Sequence, residues 1–148
     1  MTDFLGKFSY KVDYKGRVVF PQKFAKHLSQ DLIITHDPVE KCLLIFEPEE
    51  FNEWVKRFFE KDGGFQQFNA EHVRTRSKLK GDAMEVTIDS SGKINIPSKQ
   101  QQDVGITSEA VFIGNDGYIE LWSPENRAAF ESGVTLADML YEIGRAHV

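Results

Sequence analysis

A single cysteine, Cys42, stands among the 148 residues, so no internal disulfide is open to the chain. Four histidines, His27, His36, His72 and His147, are scattered without metal-ligand spacing, and one thiol beside them makes no structural zinc site. No apolar run approaches the roughly 18 residues of a spanning helix, and Met1 to Leu5 carries no basic stretch ahead of an apolar one. A phosphate-binding glycine loop and a nucleophile elbow are both missing. These absences set the expectation of a cytoplasmic protein that is not an enzyme and needs no metal, cofactor, membrane or small-molecule substrate.

Apolar residues make up 41% of the chain and aromatics 12%, with 12 Phe, enough to bury a core and too much for disorder. The net charge of -5 argues against a protein that coats nucleic acid everywhere. That average hides an alternation. Residues 1–30 carry +4, residues 31–70 carry -5, residues 71–99 carry +2 and residues 100–148 carry -6.

An internal repeat accounts for the alternation. Phe8 to Pro21 aligns with Met84 to Pro97 at a constant offset of 76, and Phe46-Glu47-Pro48-Glu49 aligns with Trp122-Ser123-Pro124-Glu125 at the same offset. In each copy a period-2 strand (Tyr10 and Val12; Val86 and Ile88) runs into a turn. Gly16 and Gly92 occupy the same place in that turn, consistent with a need for positive φ, and Asp13 and Asp89 are placed to accept backbone N–H groups two or three residues on. A short second strand follows, Val18 to Phe20 or Ile94 to Ile96, closed by Pro21 or Pro97. Short helices are expected over Gln22 to Ser29 and Lys99 to Asp103. Two further strands complete each half: Leu32 to Thr35 with Cys42 to Phe46, and Ala110 to Ile113 with Tyr118 to Trp122.

Each half of roughly 45 residues is too small for a core of its own, so the halves must share one. Pro48 begins an amphipathic helix whose Phe51, Trp54, Val55, Phe58 and Phe59 follow helical spacing, ended by Gly63-Gly64. A weaker helix follows Pro124. Thr135 and Asp138 resemble a capping box ahead of an apolar stripe at Leu136, Met139, Leu140 and Ile143. The apolar faces of these helices are expected to cover the strands, leaving the basic surplus to the hairpins. The division is residues 5–62 for the first repeat with its helix, 63–80 for a basic connector, and 81–148 for the second repeat with the C-terminal helices.

Asp13-Tyr14-Lys15-Gly16-Arg17, followed by Val18 to Pro21, together with the second copy over Asp89 to Pro97, resembles the MraZ family. The resemblance extends to Cys42 to Phe46, Ile113-Gly114 and Tyr118 to Trp122, and so covers almost the whole chain. It implies a fold that is α+β and mainly β: two pseudo-symmetric AbrB-like swapped-hairpin repeats forming one small barrel-like unit with flanking helices. It also implies a homo-oligomeric ring, commonly an octamer. The implied function is that of a bacterial, nucleoid-associated transcriptional repressor that binds short direct repeats in double-stranded DNA upstream of its own operon. The family's DNA-contacting arginine carries over to Arg17. The second copy departs from the pattern, because Lys93 can neutralise a phosphate but cannot make the planar fork that arginine offers to guanine.

On the residues alone, an arginine after a turn glycine is most often solvated, but its recurrence with charge at the equivalent turn favours a ligand. The DNA-binding set is therefore Arg17, Lys15, Lys93 and Lys11, with Asp13, Gly16, Asp89 and Gly92 structuring the turns. Arg74, Arg76, Lys78 and Lys80 read as a solvated face, the lesser alternative being a helix in which Arg74 with Lys78 and Arg76 with Lys80 form i, i+4 stripes that reach phosphates, and Cys42 reads as core. His36 beside Asp37 and Glu40 reads as an ordinary loop. The rival reading is a ring-forming protein-interaction scaffold with incidental DNA binding.

Overall fold

The computed structural model describes residues 3–146, so His147 lies outside the described residues. Eight strands form in chain order: β1 Lys7–Lys11, β2 Arg17–Val19, β3 Asp31–His36, β4 Leu43–Phe46, β5 Met84–Thr87, β6 Lys93–Asn95, β7 Glu109–Gly114 and β8 Ile119–Trp122. The helices are α1 Gln22–Ala25, α2 Pro48–Arg57, α3 Ala70–Gly81, α4 Ser98–Asp103, α5 Pro124–Glu131 and α6 Leu136–Ala146.

Six strands make one antiparallel sheet in the order β1-β7-β8-β4-β3-β5, while β2 and β6 pair with each other as a separate ribbon. The order reads the same from both ends once repeat equivalents are exchanged. A pseudo-twofold axis therefore passes between β4 and β8, and each repeat lends its first strand to the other repeat's third. Alternation along the strands sends Leu32, Ile34, Leu43, Ile45, Phe112, Ile119 and Leu121 to the face covered by the ribbon, α1 and α4. Cys42, Leu44, Phe46, Val111 and Trp122 point to the other face, where Phe51, Val55 and Phe59 cover them.

The expectation of a mainly β, barrel-like unit is overturned. The sheet stays open with β1 and β5 at its edges, and helix and strand contents are comparable among the described residues. The physical reason lies in β2 and β6. Each has three residues and runs within two positions into a proline that cannot donate to a ladder, so they pair with one another, and the single bridge Val12–Val18 beside β1 is too little to close the sheet.

Two helices follow the linking segments. The segment read as a basic connector holds α3, whose N-terminal amides at Glu71 and His72 are capped by Asn69 Oδ1 at 2.9 and 3.2 Å. The α6 capping box forms, with Asp138 N–H on Thr135 Oγ1 at 3.1 Å and Thr135 N–H on Asp138 Oδ2 at 3.3 Å. Its stripe does not cover the strands: Leu136, Leu140 and Ile143 are exposed. The sheet face it was to cover is already filled by α2, and Gly133, at φ 74°, turns the chain between α5 and α6.

One close approach carries a prediction. A Cβ on Gly114, at the end of β7, would overlap the carbonyl carbon of Phe4, where the N-terminal segment crosses the sheet edge. Gly114→Ala is expected to lift that segment and expose Phe4. Amide exchange should quicken at Phe4 and at Gly114, whose N–H groups bond Asn115 O and Gly6 O, while the β4–β8 centre keeps its protection.

Candidate nucleic-acid interface

The two turns are built alike. Asp13 Oδ1 accepts the N–H groups of Lys15 and Arg17, each at 2.9 Å, and Asp89 Oδ1 accepts those of Ser91 and Lys93 at 2.9 and 3.0 Å. Gly16 and Gly92 both sit at φ 79°, a conformation strained for any residue with a side chain. Each turn closes with a backbone bond from Asp13 N–H to Arg17 O at 2.9 Å or from Asp89 N–H to Lys93 O at 2.8 Å. The turns then lock onto the opposite strand: Ile96 N–H donates to Gly16 O and Phe20 N–H to Gly92 O, both at 2.9 Å.

In the ribbon, Val18 faces Ile94, its own repeat equivalent, so the pseudo-twofold axis passes between them. Both are buried on the core side. The neighbours Arg17, Val19, Lys93 and Asn95 therefore share the outer face, with Arg17 opposite Asn95 and Lys93 opposite Val19. Arg17 and Lys93 are diagonal neighbours across the axis, at a Cα separation of about 7–8 Å typical of such pairs.

The two cations differ in their restraint. Arg17 Nε donates to Asp13 Oδ2 at 3.0 Å, which fixes the guanidinium, while its two Nη atoms have no partner among the described residues. Two parallel donors remain for a ligand. Lys93 makes no such tie, and in its turn the Ser91 hydroxyl donates to Asp89 Oδ1 at 2.7 Å. Lys15 is exposed at the turn tip with its Nζ 5.6 Å from the ring of Tyr14, which is 90% exposed. Sequence reasoning passed over Tyr14, although an aromatic at a turn tip between a carboxylate and a lysine is itself a signal. Lys11 lies farther back on β1, directly opposite Glu109 of β7, so its charge is partly offset.

Backbone N–H donation from Arg17 holds the Asp13 carboxyl below its ordinary value of 3.8, and the Ser91 hydroxyl does the same for Asp89. A depressed carboxylate contributes stability that is present above the ordinary value and lost as pH falls through the lowered one. Both turns should hold from neutral pH down to about 4 and loosen below it. The check is an NMR pH titration in which the Lys15, Arg17, Ser91 and Lys93 amides lose protection together, ahead of the core amides.

The basic side chains of the long polar helix are engaged elsewhere. In α3, Arg74 pairs with Glu71 at 3.1 Å and Lys78 with Asp82 at 2.9 Å, Arg76 stacks 3.4 Å above the Phe65 ring, and Lys80 bonds Asn52 at 2.8 Å. Cys42 is buried, and burial pushes its thiol well above the usual range. Asp37 Oδ1 caps its own loop on Val39 and Glu40, leaving His36 to pair with Asp103 at 3.0 Å.

Comparison with known proteins matches residues 4–73 and 79–137 to the family described as "MraZ protein, putative antitoxin-like". Among similar proteins is the "Transcriptional regulator MraZ" of Bacteroides fragilis, 35% identical over 129 residues, spanning 84% of this chain and 80% of that one. Proteins of the same title from Parvibaculum lavamentivorans and Lachnoclostridium phytofermentans are 32% identical over 134 residues and 27% over 143. The first alignment spans 88% of this chain and 81% of its relative, the second 95% and 97%. The chain belongs to the MraZ family and has that family's general function, transcriptional regulation rather than catalysis.

Proposed function

We propose that the chain is a sequence-specific DNA-binding repressor that recognises short direct repeats in the promoter of its own operon. The observation that carries this reading is the ribbon's outer face: Arg17 with an unspent pair of Nη donors, Lys93 across the pseudo-twofold axis, and both turns locked to the opposite strand. A two-stranded ribbon fits the major groove of B-DNA, roughly 12 Å wide. Arg17 reads a guanine edge, Lys15 and Lys11 bind phosphate, and Lys93 reaches phosphate as a point charge. Asp13, Gly16, Asp89 and Gly92 hold the turns in shape.

The units of the reading are residues 5–62 and 81–148, joined through 63–80, acting together in the cytoplasm at the nucleoid. Subunits assemble into a ring, an octamer, so that several ribbons engage successive repeats. One ribbon binds weakly, and effective concentration supplies the rest, which lets an acidic protein select a promoter without coating the chromosome. Repression follows from covering that promoter.

The exposed stripe of α6 favours a second reading, a ring-forming interaction scaffold for which DNA binding is incidental. A gel shift on the DNA upstream of its own gene separates the two. The parent retards fragments with tandem repeats and Arg17→Ala does not; retardation unchanged by Arg17→Ala overturns the DNA reading.

A further inference from the structure

The two turns share a frame and differ in the side chains that leave it. Asp13 with Gly16 and Asp89 with Gly92 build that frame at the offset of 76, through the same carboxylate acceptor bonds and the same φ of 79°. Every other side chain of the pair has changed: Tyr14 stands against Ser90, Lys15 against Ser91 and Arg17 against Lys93. The first turn therefore carries a planar fork, a flexible cation and an aromatic ring where the second carries one lysine and two hydroxyls. The fork and the cation have roles in the DNA reading. The ring has none there.

Tyr14 is 90% exposed, so the body of the protein gives its ring no cover. The Lys15 ammonium lies 5.6 Å from the ring centroid, over one face, and the other face is open. The turn also keeps the ring near the fork. Gly16 N–H donates to Asp13 O at 3.0 Å, which folds Asp13 to Gly16 into a β-turn with Tyr14 at its first corner. Three residues separate Tyr14 from Arg17 and span at most about 10 Å. At about 3.4 Å per base step, two side chains reaching into one groove from the same tip meet base pairs no more than about three steps apart.

Base edges in the major groove are hydrogen-bond donors and acceptors with one apolar exception, the 5-methyl group of thymine. The face of an aromatic ring is weakly negative and suits the weakly positive hydrogens of a methyl group. We propose that Tyr14 is a specificity-determining residue whose ring packs on the 5-methyl group of a thymine within about three base pairs of the guanine that Arg17 contacts. The proposal rests on the DNA reading and adds a base to it. Ser90 offers no apolar surface, so the second turn is blind to the methyl group. The difference gives each site a polarity that the pseudo-twofold frame alone would not supply.

The probe is the DNA upstream of the protein's own gene, amplified with dTTP or with dUTP, so that the two fragments differ only in thymine methyl groups. Fluorescence anisotropy compares the full-length parent with Tyr14→Ser, which carries the second turn's residue, and Tyr14→Phe, which keeps the ring. Neither change touches the residues that build the turn. The parent is expected to bind the uracil fragment about fourfold more weakly per engaged subunit, the value of one buried methyl group. Tyr14→Phe should keep that difference. Tyr14→Ser should bind both fragments alike, no more tightly than the parent binds the uracil one. In synthetic repeats, 7-deazaguanine at each guanine in turn finds the base whose replacement matters to the parent and not to Arg17→Lys, and uracil at each thymine finds the methyl group that matters to the parent and not to Tyr14→Ser. Equal binding of the two fragments by the parent overturns the assignment and leaves the DNA reading standing. So does a preference that survives in Tyr14→Ser, which would belong to DNA shape, a preference lost in Tyr14→Phe, or a sensitive thymine more than about three base pairs from that guanine. A parent that binds neither fragment overturns both.

Discussion

Arg17→Ala is expected to reduce affinity for a single upstream repeat by about fivefold to 150-fold, the value of one bidentate arginine–guanine contact of about 1–3 kcal/mol. On tandem repeats the losses multiply across engaged subunits, so the deficit should grow with repeat number. The geometry makes the effect specific to the fork. Asp13 holds Nε, so the remaining donors form a planar pair whose direction is set by the turn. Arg17→Lys keeps the charge and loses the pair, and should bind all sequences with nearly equal, weak affinity while the salt dependence stays near the parent's. Lys15→Ala should weaken binding to every sequence alike and lower the salt slope by about one per engaged subunit. Lys93→Arg, which gives the second copy the family's residue, should tighten binding. Fluorescence anisotropy on fragments with one, two and four repeats over a range of salt reads all four variants. An Arg17→Ala protein whose deficit is the same on one repeat as on four would remove the multivalent mechanism even if binding weakened.

The turns were legible in the sequence because everything that shapes them is local. Asp, Gly and a basic residue recur at fixed spacing, and the side-chain acceptor reaches only two to four residues ahead. The pairing of strands was not legible. β1 joins β7 and β3 joins β5 across the repeats, and nothing in the period-2 pattern of a strand names its partner. Pro21 and Pro97 were visible as strand ends, but their consequence, an isolated ribbon beside an open sheet, depends on that same pairing. The helix α3 was not fixed by the pattern because it has no apolar stripe: its polar residues are spread round the helix, and its contacts to the body run through Leu79 on the second core face, Lys80 on Asn52 and Phe51, and His72 on Phe59. The α6 stripe was legible as a helix and misplaced as a core element, since amphipathicity says that a face wants cover and does not say which surface supplies it. At the candidate interface, the sequence showed how the turn around Arg17 is built but missed the Asp13 tie that leaves only the Nη pair free, a matter of rotamer rather than of residue type.

Arg127→Ala is expected to be strongly destabilising although it lies away from the ribbon and outside the apolar core. Glu120 alternates out of the first core face between Ile119 and Leu121 and meets Arg127 of α5 at 3.1 Å, with both side chains under one-fifth exposed. Arg127 also spans Trp122 and Phe130, its guanidinium carbon 5.3 and 4.9 Å from their centroids, and bonds Glu131 at 2.6 Å. Removing it strands the Glu120 carboxylate with two neutral donors, Trp122 Nε1 at 2.8 Å and Asn115 Nδ2 at 2.6 Å. Breaking a buried pair from one side costs about 3–5 kcal/mol, and the two surviving donors place this case at the lower end, about 3 kcal/mol. Much of that penalty belongs to the orphaned charge rather than to the lost attraction. The double variant Glu120→Gln with Arg127→Met, which removes both charges and keeps the volume over Trp122, should therefore recover most of the loss. Urea unfolding of the parent, the single and the double variants at one protein concentration makes the comparison, since self-association would otherwise shift the midpoints. A double variant as unstable as Arg127→Ala would mean that the guanidinium's packing on the two rings, and not charge pairing, holds α5 to the sheet.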